Sequence, residues 1–408
     1  MKAKRYTLMI SAGEASGDAH AAHALEALRA RGVSAESFGM GAGALAAAGT
    51  ELLVDCRELA VIGIVDVLRN YPAFLARLKR LRVAMRERRP DLLVLIDYPD
   101  FNLKLAETAR SLGIPVLFYI SPQVWAWREK RVTRIASLVS HMAVLFPFEV
   151  EVYERAGVPV THVGHPLVDD ARSPFTPTEA RGHFGLRADG GPLVTLLPGS
   201  RRGEIERHLP IMLATAAKLL VDLPACRFLL PLAATLERAP VERALGEAGL
   251  PVTLVEGGAC HAMRAADAVL AASGTATLET ALIGTPLVVL YVVAPLNHAI
   301  MRRLIRIPDI ALVNVVAGRR VVPEYVQGAA EPAALAADLR SLLTDGARAA
   351  GMRAALADVA TRMGGGGASG RVAALIETML TSANRSPLAS RAASGRAADG
   401  APTEAGRR

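Results

Sequence analysis

The chain has 408 residues, a formal net charge of +8 and 51% apolar residues. This length can bury a full hydrophobic core, and the apolar fraction excludes a disordered or collagen-like chain. The three cysteines, Cys56, Cys226 and Cys260, fit neither a zinc-binding spacing nor an even disulfide framework, so we expect a reducing, cytoplasmic setting. The positive charge predicts anionic partners: phosphates, nucleic acid or an acidic membrane face.

The first half of the chain alternates strand-like and helix-like segments. An apolar run over 6–12 predicts a strand, 13–18 a turn and 19–31 a helix. Further buried-strand runs cover 92–97, 115–120, 141–146 and 160–164. A polar, proline-containing break follows at 169–191 and marks a domain boundary.

After this break the strand pattern restarts. The strand-like runs of the second half cover 193–197, 227–230, 252–256, 268–271 and 287–291. Two such series predict an α/β protein with two doubly wound, Rossmann-like domains that face each other across a cleft. We place the N-terminal domain at 1–168 and the C-terminal domain at 190–350, followed by C-terminal helices over 351–380 and a disordered tail over 381–408.

An uncharged stretch over 281–301 resembles a membrane span in length. It contains Pro286, Pro295 and Asn297, which a membrane helix tolerates poorly. A buried strand followed by a loop is therefore the better interpretation.

The loop after the first strand of the second domain predicts an anion site. Gly199 lets the backbone approach a ligand, Ser200 and the following amides can face an anion at a helix start, and Arg201 adds positive charge. The alternative is an ordinary strand–helix turn with surface arginines.

A second loop of small residues opens a helix after the strand that ends at Ala271. Ser273, Gly274 and Thr275 would place a helix N-terminus where it can bind a diphosphate, and Glu279, about one turn later, could bind a ribose hydroxyl. Tight packing of helix on sheet also favours small residues and remains the alternative.

A third candidate site closes a strand of the first domain. Asp97 ends that strand and Asp100 follows it, and an ionised carboxylate there can accept a proton. The alternative role for either is a turn cap.

The sequence has no dinucleotide-binding G-x-G-x-x-G after the first strand, no P-loop and no obvious metal-ligand set, so we expect neither a nicotinamide cofactor nor a metal.

Several longer segments carry a family resemblance. They cover 11–18, 60–68, 97–102, 119–127, 199–201 and 273–276, and the most specific is Ser-Pro-Gln-Val-Trp-Ala-Trp at 121–127. On these residues the chain, from about Tyr6 to Leu380, resembles the lipid-A-disaccharide synthase family, which are nucleotide-sugar-dependent glycosyltransferases of the two-domain GT-B architecture.

The resemblance implies an inverting, metal-free transfer that needs no cofactor. UDP-2,3-diacylglucosamine donates its sugar to 2,3-diacylglucosamine 1-phosphate (lipid X), and UDP leaves. The expected location is the cytoplasmic surface of the inner membrane, with peripheral attachment. The resemblance leaves a homodimer open.

The resemblance also assigns roles to residues at matching positions. Asp97 matches the general base. The positions matching the UDP site are Gly199, Ser200, Arg201, Ser273, Gly274, Thr275, Glu279 and Asn314. The positions expected to contact the acceptor or its lipid chains are Glu14, Ser16, Ile62, Ile64, Val65, Trp125 and Trp127.

The segment 69–89 is rich in arginine and carries apolar residues at helical spacing. This pattern is typical of a helix on an anionic membrane, and a solvated helix face over the core is the alternative.

Three rival functions remain: a GT-B transferase acting on another lipid-linked amino sugar, a UDP-N-acetylglucosamine 2-epimerase, and a nucleic-acid binder. The absence of any nucleic-acid recognition motif disfavours the last.

Overall fold

The computed structural model describes residues 5–59, 71–122, 130–233, 235–294 and 309–383. These form two compact units. The first contains the described residues of Met1–Pro122, Ile135–Ala143 and Ser369–Arg408, and the second those of Gln123–Arg134 and Val144–Ala368. The first unit therefore combines segments from both ends of the described chain.

The first sheet has seven strands in the order β3-β2-β1-β4-β5-β6-β7. The strands are β1 (Tyr6–Ala12), β2 (Ala35–Gly41), β3 (Glu51–Asp55), β4 (Leu92–Ile96), β5 (Val116–Tyr119), β6 (His141–Val144) and β7 (Val160–His162). The helices along this part of the chain are α1 (Ala15–Ala30), α2 (Gly43–Ala47), α3 (Tyr71–Arg88), α4 (Pro99–Ser111), α5 (Lys130–Leu138) and α6 (Pro147–Arg155). From β3 to β6 the neighbouring strands pair in parallel, so the carboxyl ends of β1 and β4 lie side by side.

The second sheet has six strands in the order β10-β9-β8-β11-β12-β13, paired in parallel. They are β8 (Leu193–Leu197), β9 (Arg227–Leu232), β10 (Val252–Glu256), β11 (Ala268–Ala272), β12 (Leu287–Tyr291) and β13 (Glu324–Val326). The later helices are α7 (Leu167–Asp170), α8 (Pro177–His183), α9 (Arg202–Asp222), α10 (Arg238–Ala248), α11 (Ala259–Ala265), α12 (Thr275–Ile283), α13 (Leu312–Ala317), α14 (Pro332–Thr344), α15 (Gly346–Arg362) and α16 (Ala368–Ala383).

The α/β class with two parallel-sheet halves is confirmed. The apolar runs became β1 and β4 to β12, and the central strands β1, β4, β8 and β11 are almost wholly buried. Burial on both faces explains why these strands are continuously apolar.

The sequence pattern missed β2, β3 and β13. In β2 the apolar run is broken by Glu36, Ser37 and Gly39. A side chain at Gly39 would overlap the carbonyl of Ile10 on β1, so close contact between the strands requires glycine there. β13 has only three residues, too few for a periodic signal.

The polar break at 169–191 also contains a helix. Thr176 and Glu179 form a capping box at the start of α8, and Pro177 occupies its first position. Within the uncharged stretch, Leu287–Tyr291 is the strand β12, and 295–301 lies outside the described residues. Across the residues that the structure describes, no helix is long and apolar enough to cross a membrane.

The helix α16 packs on the first unit. Val372 and Ile376 join Leu8 and Ile10 of β1 in lining a small apolar cavity, together with Ala21, Ala24, Leu25, Val94, Ile96 and Tyr119. At the surface, Glu377 pairs with Arg31 at 2.7 Å. The expected tail begins inside this helix, and residues 384–408 lie outside the described part of the chain.

The buried carboxylate of Asp18 fixes the connection from β2 to α2. It accepts hydrogen bonds from the backbone amides of Ala42 (2.6 Å), Ala44 (2.9 Å) and Leu45 (3.2 Å). These amides open a helix of only one turn, which has no other side-chain cap. Asp18 is thus a structural acceptor.

Replacing Asp18 with alanine should release this helix start. Loss of a helix cap costs about 1–2 kcal/mol, so we expect amides 42–45 to exchange hydrogen about tenfold faster or more. Hydrogen–deuterium exchange of that peptide measures the effect. Glu26→Ala, an exposed change on the same helix α1, serves as the control and should leave the exchange unchanged.

Candidate active site

Asp97 stands in a strained turn between β4 and α4. Asp97 and Tyr98 both have φ of 46°, in the left-handed region that non-glycine residues rarely adopt. Pro99 opens α4 and disfavours the right-handed helical conformation for the residue before it. Such strain costs about 1–3 kcal/mol per residue and is common at functional sites.

The surroundings of Asp97 make its carboxylate more basic. Burial raises its pKa first, the nearby charge of Glu14 raises it further, and a hydrogen bond from the amide of Tyr98 opposes them, which brings the pKa to about 6. The ordinary value is about 3.9. Asp97 is therefore ionised at neutral pH yet accepts a proton more readily than an ordinary aspartate.

Asn102, on the first turn of α4, binds the Asp97–Tyr98 turn through its side-chain amide. Its side-chain nitrogen lies 2.7 Å from the carbonyl oxygen of Asp97, 3.2 Å from that of Ile96 and 3.3 Å from that of Ser11. Its side-chain oxygen accepts a hydrogen bond of 2.7 Å from the hydroxyl of Ser11. The amide thus joins the carboxyl ends of β1 and β4. Sequence reasoning missed this role, although Asn102 belongs to the segment that carries the resemblance.

Tyr98 fills the space beside the first loop. A side chain on Gly13 would overlap the ring of Tyr98, so glycine is required there. The same ring lies 6.0 Å from that of Phe101, centroid to centroid, and burial raises the pKa of the Tyr98 hydroxyl. The Tyr98 ring, next to Asp97 in the chain, therefore packs between the first loop and Phe101.

The other predicted acceptor residues divide into two groups. Glu14 is the exposed N-cap residue of α1, close enough to Asp97 to raise its pKa, and Ser16 is exposed in the first turn of that helix. The remaining predicted positions, Ile62, Ile64, Val65, Trp125 and Trp127, lie outside the described residues. Of these candidates, the structure brings Glu14 to Asp97.

The loop after β8, where the sequence predicts an anion site, carries an internal contact with a carboxylate. Gly199 has φ of 118°, a conformation that favours glycine, and leads into α9. The backbone amides of Ser200 and Arg201 donate to the carboxylate of Glu204, at 2.9 and 3.2 Å. These two amides are therefore occupied by the side chain of Glu204, on the first turn of α9. The half-exposed guanidinium of Arg201, 3.2 Å from Glu204, is the group at this loop that can reach an anion.

His208 fixes the same loop from inside the second unit. The buried ring donates through Nδ1 to the carbonyl of Pro198 at 2.8 Å, and its Nε2 lies 3.1 Å from the backbone nitrogen of Val292. The loop after β8 is thereby tied to the segment that follows β12. Sequence reasoning had not singled out this histidine.

The start of α12 differs from that of α9. Gly274 is its N-cap and no side chain caps the amides there. The amide of Thr277 donates to the carbonyl of Gly274 at 3.1 Å, so the amides of Thr275 and Ala276 are the ones left at this helix start without an intrahelical partner. Ser273 turns its hydroxyl to the carbonyl of Ile310 at 3.2 Å. An uncapped helix start with small residues is a suitable anion site.

Glu279 lies on the same helix, half-buried. Among the described residues it has no hydrogen-bond or ion-pair partner. Burial raises its pKa, and the neighbouring charge of Asp170 adds to the effect. Such a carboxylate is available to bind a ligand hydroxyl. The described residues contain no group of three or more histidine, cysteine, aspartate or glutamate side chains that could hold a metal ion.

Asn314, a further predicted UDP-site residue, is bonded within its own loop. Its side-chain nitrogen donates to the carbonyl of Val322 and to Glu324, at 3.1 and 3.2 Å, and its oxygen accepts from the amides of Val321 and Val322, at 2.8 and 3.0 Å. An asparagine amide has two hydrogens and two lone pairs, and all four are used here. The side chain of Asn314 therefore holds its own loop here, and its contact with the nucleotide stays a prediction.

Comparison with known proteins identifies the family. Residues 8–364 match the family model described as lipid-A-disaccharide synthetase. The lipid-A-disaccharide synthase of Geobacter sulfurreducens is 47% identical over 376 residues, which cover 92% of this chain and 97% of that protein. The predicted family is thereby confirmed.

Solved structures that resemble this chain share its fold. The UDP-GlcNAc 2-epimerase from Neisseria meningitidis bound to UDP-GlcNAc has a TM-score of 0.58 and 13% identity, over 93% of this chain and 100% of that one. The glycosyltransferase of kitacinnamycin has a TM-score of 0.59 and 18% identity, over 92% and 100%. At such identities the likeness shows the fold alone, so the epimerase alternative gains nothing from it. The chain belongs to the lipid-A-disaccharide synthase family and is a glycosyltransferase.

Proposed function

We propose that this protein transfers the sugar of UDP-2,3-diacylglucosamine to the 6-hydroxyl of 2,3-diacylglucosamine 1-phosphate, forming the β-1,6-linked disaccharide phosphate and UDP. The observation that carries the proposal is the family match over residues 8–364. The direct test is a product assay with the purified protein and both acylated substrates. Release of UDP without the acceptor, or interconversion of a free sugar nucleotide, would contradict it.

Asp97 is the proposed general base. The acceptor hydroxyl must lose a proton as its oxygen attacks the anomeric carbon, while the bond from that carbon to UDP breaks. A single base suffices for this inversion, because attack and departure take place on opposite faces. A carboxylate with a pKa of about 6 accepts this proton better than an ordinary aspartate would.

The leaving UDP gathers negative charge on its β-phosphate. We assign its stabilisation to the guanidinium of Arg201 and to the uncapped amides of Thr275 and Ala276 at the start of α12. A helix start contributes about 0.3–1 kcal/mol to an anion. A guanidinium that meets charge developing only in the transition state contributes more.

Glu279 is the proposed ribose-binding residue. Its half-buried carboxylate has no hydrogen-bond partner within the described residues and lies on the helix whose start we assign to the phosphates. A ribose hydroxyl would supply the hydrogen bond that this carboxylate lacks.

The helix α3 is the proposed contact with the cytoplasmic face of the inner membrane. Its outer face exposes Tyr71 (47%), Leu75 (43%) and Val83 (39%). Beside them lie exposed cations, namely Lys79, Arg80 and Arg86. Apolar side chains mixed with cations suit an anionic lipid surface. Two arginines of this helix are engaged elsewhere: Arg82 donates to the carbonyl of Lys104, and Arg88 pairs with Glu51.

Asp97→Asn should remove the base and keep the shape. We expect kcat to fall by at least about a thousandfold, within the range for loss of a general base, with UDP affinity unchanged. In the unchanged protein, kcat/KM should rise with pH through about 6, as Asp97 ionises. Steady-state kinetics from pH 5 to 8 measure both effects. Full activity of the variant would exclude Asp97 as the base.

The same variant should be more stable at neutral pH. The raised pKa of Asp97 means that the native state holds a proton which the unfolded chain releases between about pH 4 and 6. This contribution to stability is present below about pH 4 and is lost as pH rises through about 6. The variant should therefore gain about 1–3 kcal/mol over the unchanged protein at pH 8 and nothing at pH 4, as seen in thermal melts.

Arg201→Ala should lower kcat by about a hundredfold or more, because it removes a donor to the leaving phosphate. Arg202→Ala is the matched control: its guanidinium is 90% exposed and pairs with Glu206. The control should retain full turnover. Equal loss in the two variants would show that general surface charge, and no specific contact of Arg201, is responsible.

Reversing the exposed charges of α3 should release the protein from membranes. The triple change of Lys79, Arg80 and Arg86 to glutamate should greatly reduce sedimentation with anionic vesicles, since each cation contributes about 1 kcal/mol. A control with the same change in net charge replaces Lys218, Arg243 and Arg353, which are exposed in the second unit. Similar retention of the two variants would favour a solvated face for α3.

A further inference from the structure

We propose that Asn102 is a positioning residue, which fixes the Asp97–Tyr98 turn and so determines where the carboxylate of Asp97 stands. This inference rests on the proposed role of Asp97 as the base. Asn102 itself does not need to touch either substrate, because its contacts are to the backbone.

The contacts of Asn102 are concentrated on the turn. The residue is fully buried, and the shortest contact of its side-chain nitrogen, 2.7 Å, is to the carbonyl of Asp97. Its backbone amide also donates to the carbonyl of Tyr98 at 3.1 Å. One residue therefore binds the carbonyls of both left-handed residues.

The turn needs such support because its conformation is unfavourable. Two consecutive non-glycine residues at φ of 46° persist only where the surrounding structure holds them. Ser11 in turn orients the amide, since its hydroxyl donates to the side-chain oxygen of Asn102 at 2.7 Å. This contact decides which side of the amide faces the turn, and so keeps the N–H groups on the carbonyls.

The charged groups around Asp97 determine what loosening the turn would do. Glu14 faces it from the start of α1, Tyr98 and Asp100 follow it on its own turn, and Cys56 lies beside Tyr98 on the segment after β3. All of these groups are acidic or neutral. A carboxylate released from this partly buried place would gain water and move away from Glu14, and would then hold its proton less tightly.

Asn102→Leu keeps the approximate size of the side chain, adds no charge beside Asp97 and removes both N–H donors. We expect kcat to fall by about tenfold to a hundredfold, with the KM of both substrates within about twofold. The acid limb of kcat/KM should move from about pH 6 towards the ordinary aspartate value of about 3.9. A loss of stability alone would lower the amount of active protein and leave the position of the limb unchanged.

Two further variants complete the test. Ser37→Ala removes a buried hydroxyl that pairs with Thr50 at 2.8 Å elsewhere in the first unit, and it should leave kcat and the acid limb unchanged. Ser11→Ala removes only the bond that orients the amide, and should shift the limb in the same direction by less. Ser11→Ala decides the question where Asn102→Leu is not soluble.

The outcomes separate the two ideas. An acid limb that stays at its original pH in Asn102→Leu, or in Ser11→Ala where that variant decides, overturns the positioning role even if turnover falls. If Asp97 is not the base, the result is a different one: Asp97→Asn would then retain activity.

Discussion

The carboxyl ends of β1 and β4 are joined through one buried amide, and the position of Asp97, the proposed base, depends on that junction. Asn102 binds backbone carbonyls from both strands and from the turn that carries Asp97. In the parallel sheet, the carboxyl ends of β1 and β4 lie at the same edge. Pro99 disfavours the right-handed helical conformation for Tyr98, and the side-chain amide of Asn102 stabilises the left-handed turn that forms instead. The carboxylate of Asp97 is therefore largely shielded from water and lies near the acidic side chain of Glu14. Its increased basicity is therefore a property of the backbone arrangement as much as of the residue itself.

The second unit uses two helix starts in different ways. At α9 the chain supplies its own carboxylate, because Glu204 occupies the amides of Ser200 and Arg201. At α12 no side chain caps the amides. An internal cap makes the first loop rigid and presents a guanidinium, whereas the open start can accept an external anion. The two loops look alike in sequence, yet they offer different groups to the proposed phosphate site.

Much of this could be predicted from local pattern, and the rest depended on contacts between distant residues. Continuous apolar runs identified the central strands, since burial on both faces leaves a signal within each run. β2 gave no such signal, because contact with β1 requires glycine in its middle. Asp97 was recognisable as a polar residue at a strand end. The partners of Asn102 could not be recognised from the sequence, because Ser11 is 91 positions away and contacts Asn102 only when β1 and β4 pair. Glu204 was within reach of sequence reasoning, since its spacing from Arg201 is that of a capping box.

The packing of α16 sets the order in which this protein can be completed during synthesis. The first unit needs Val372 and Ile376 to cover apolar side chains of β1 and α1, yet these two residues leave the ribosome after the whole second unit has been made. Until then the nascent first unit presents an uncovered apolar surface, which is the kind of surface that chaperones recognise. The first unit can therefore complete its apolar core only after the last described helix has been synthesised.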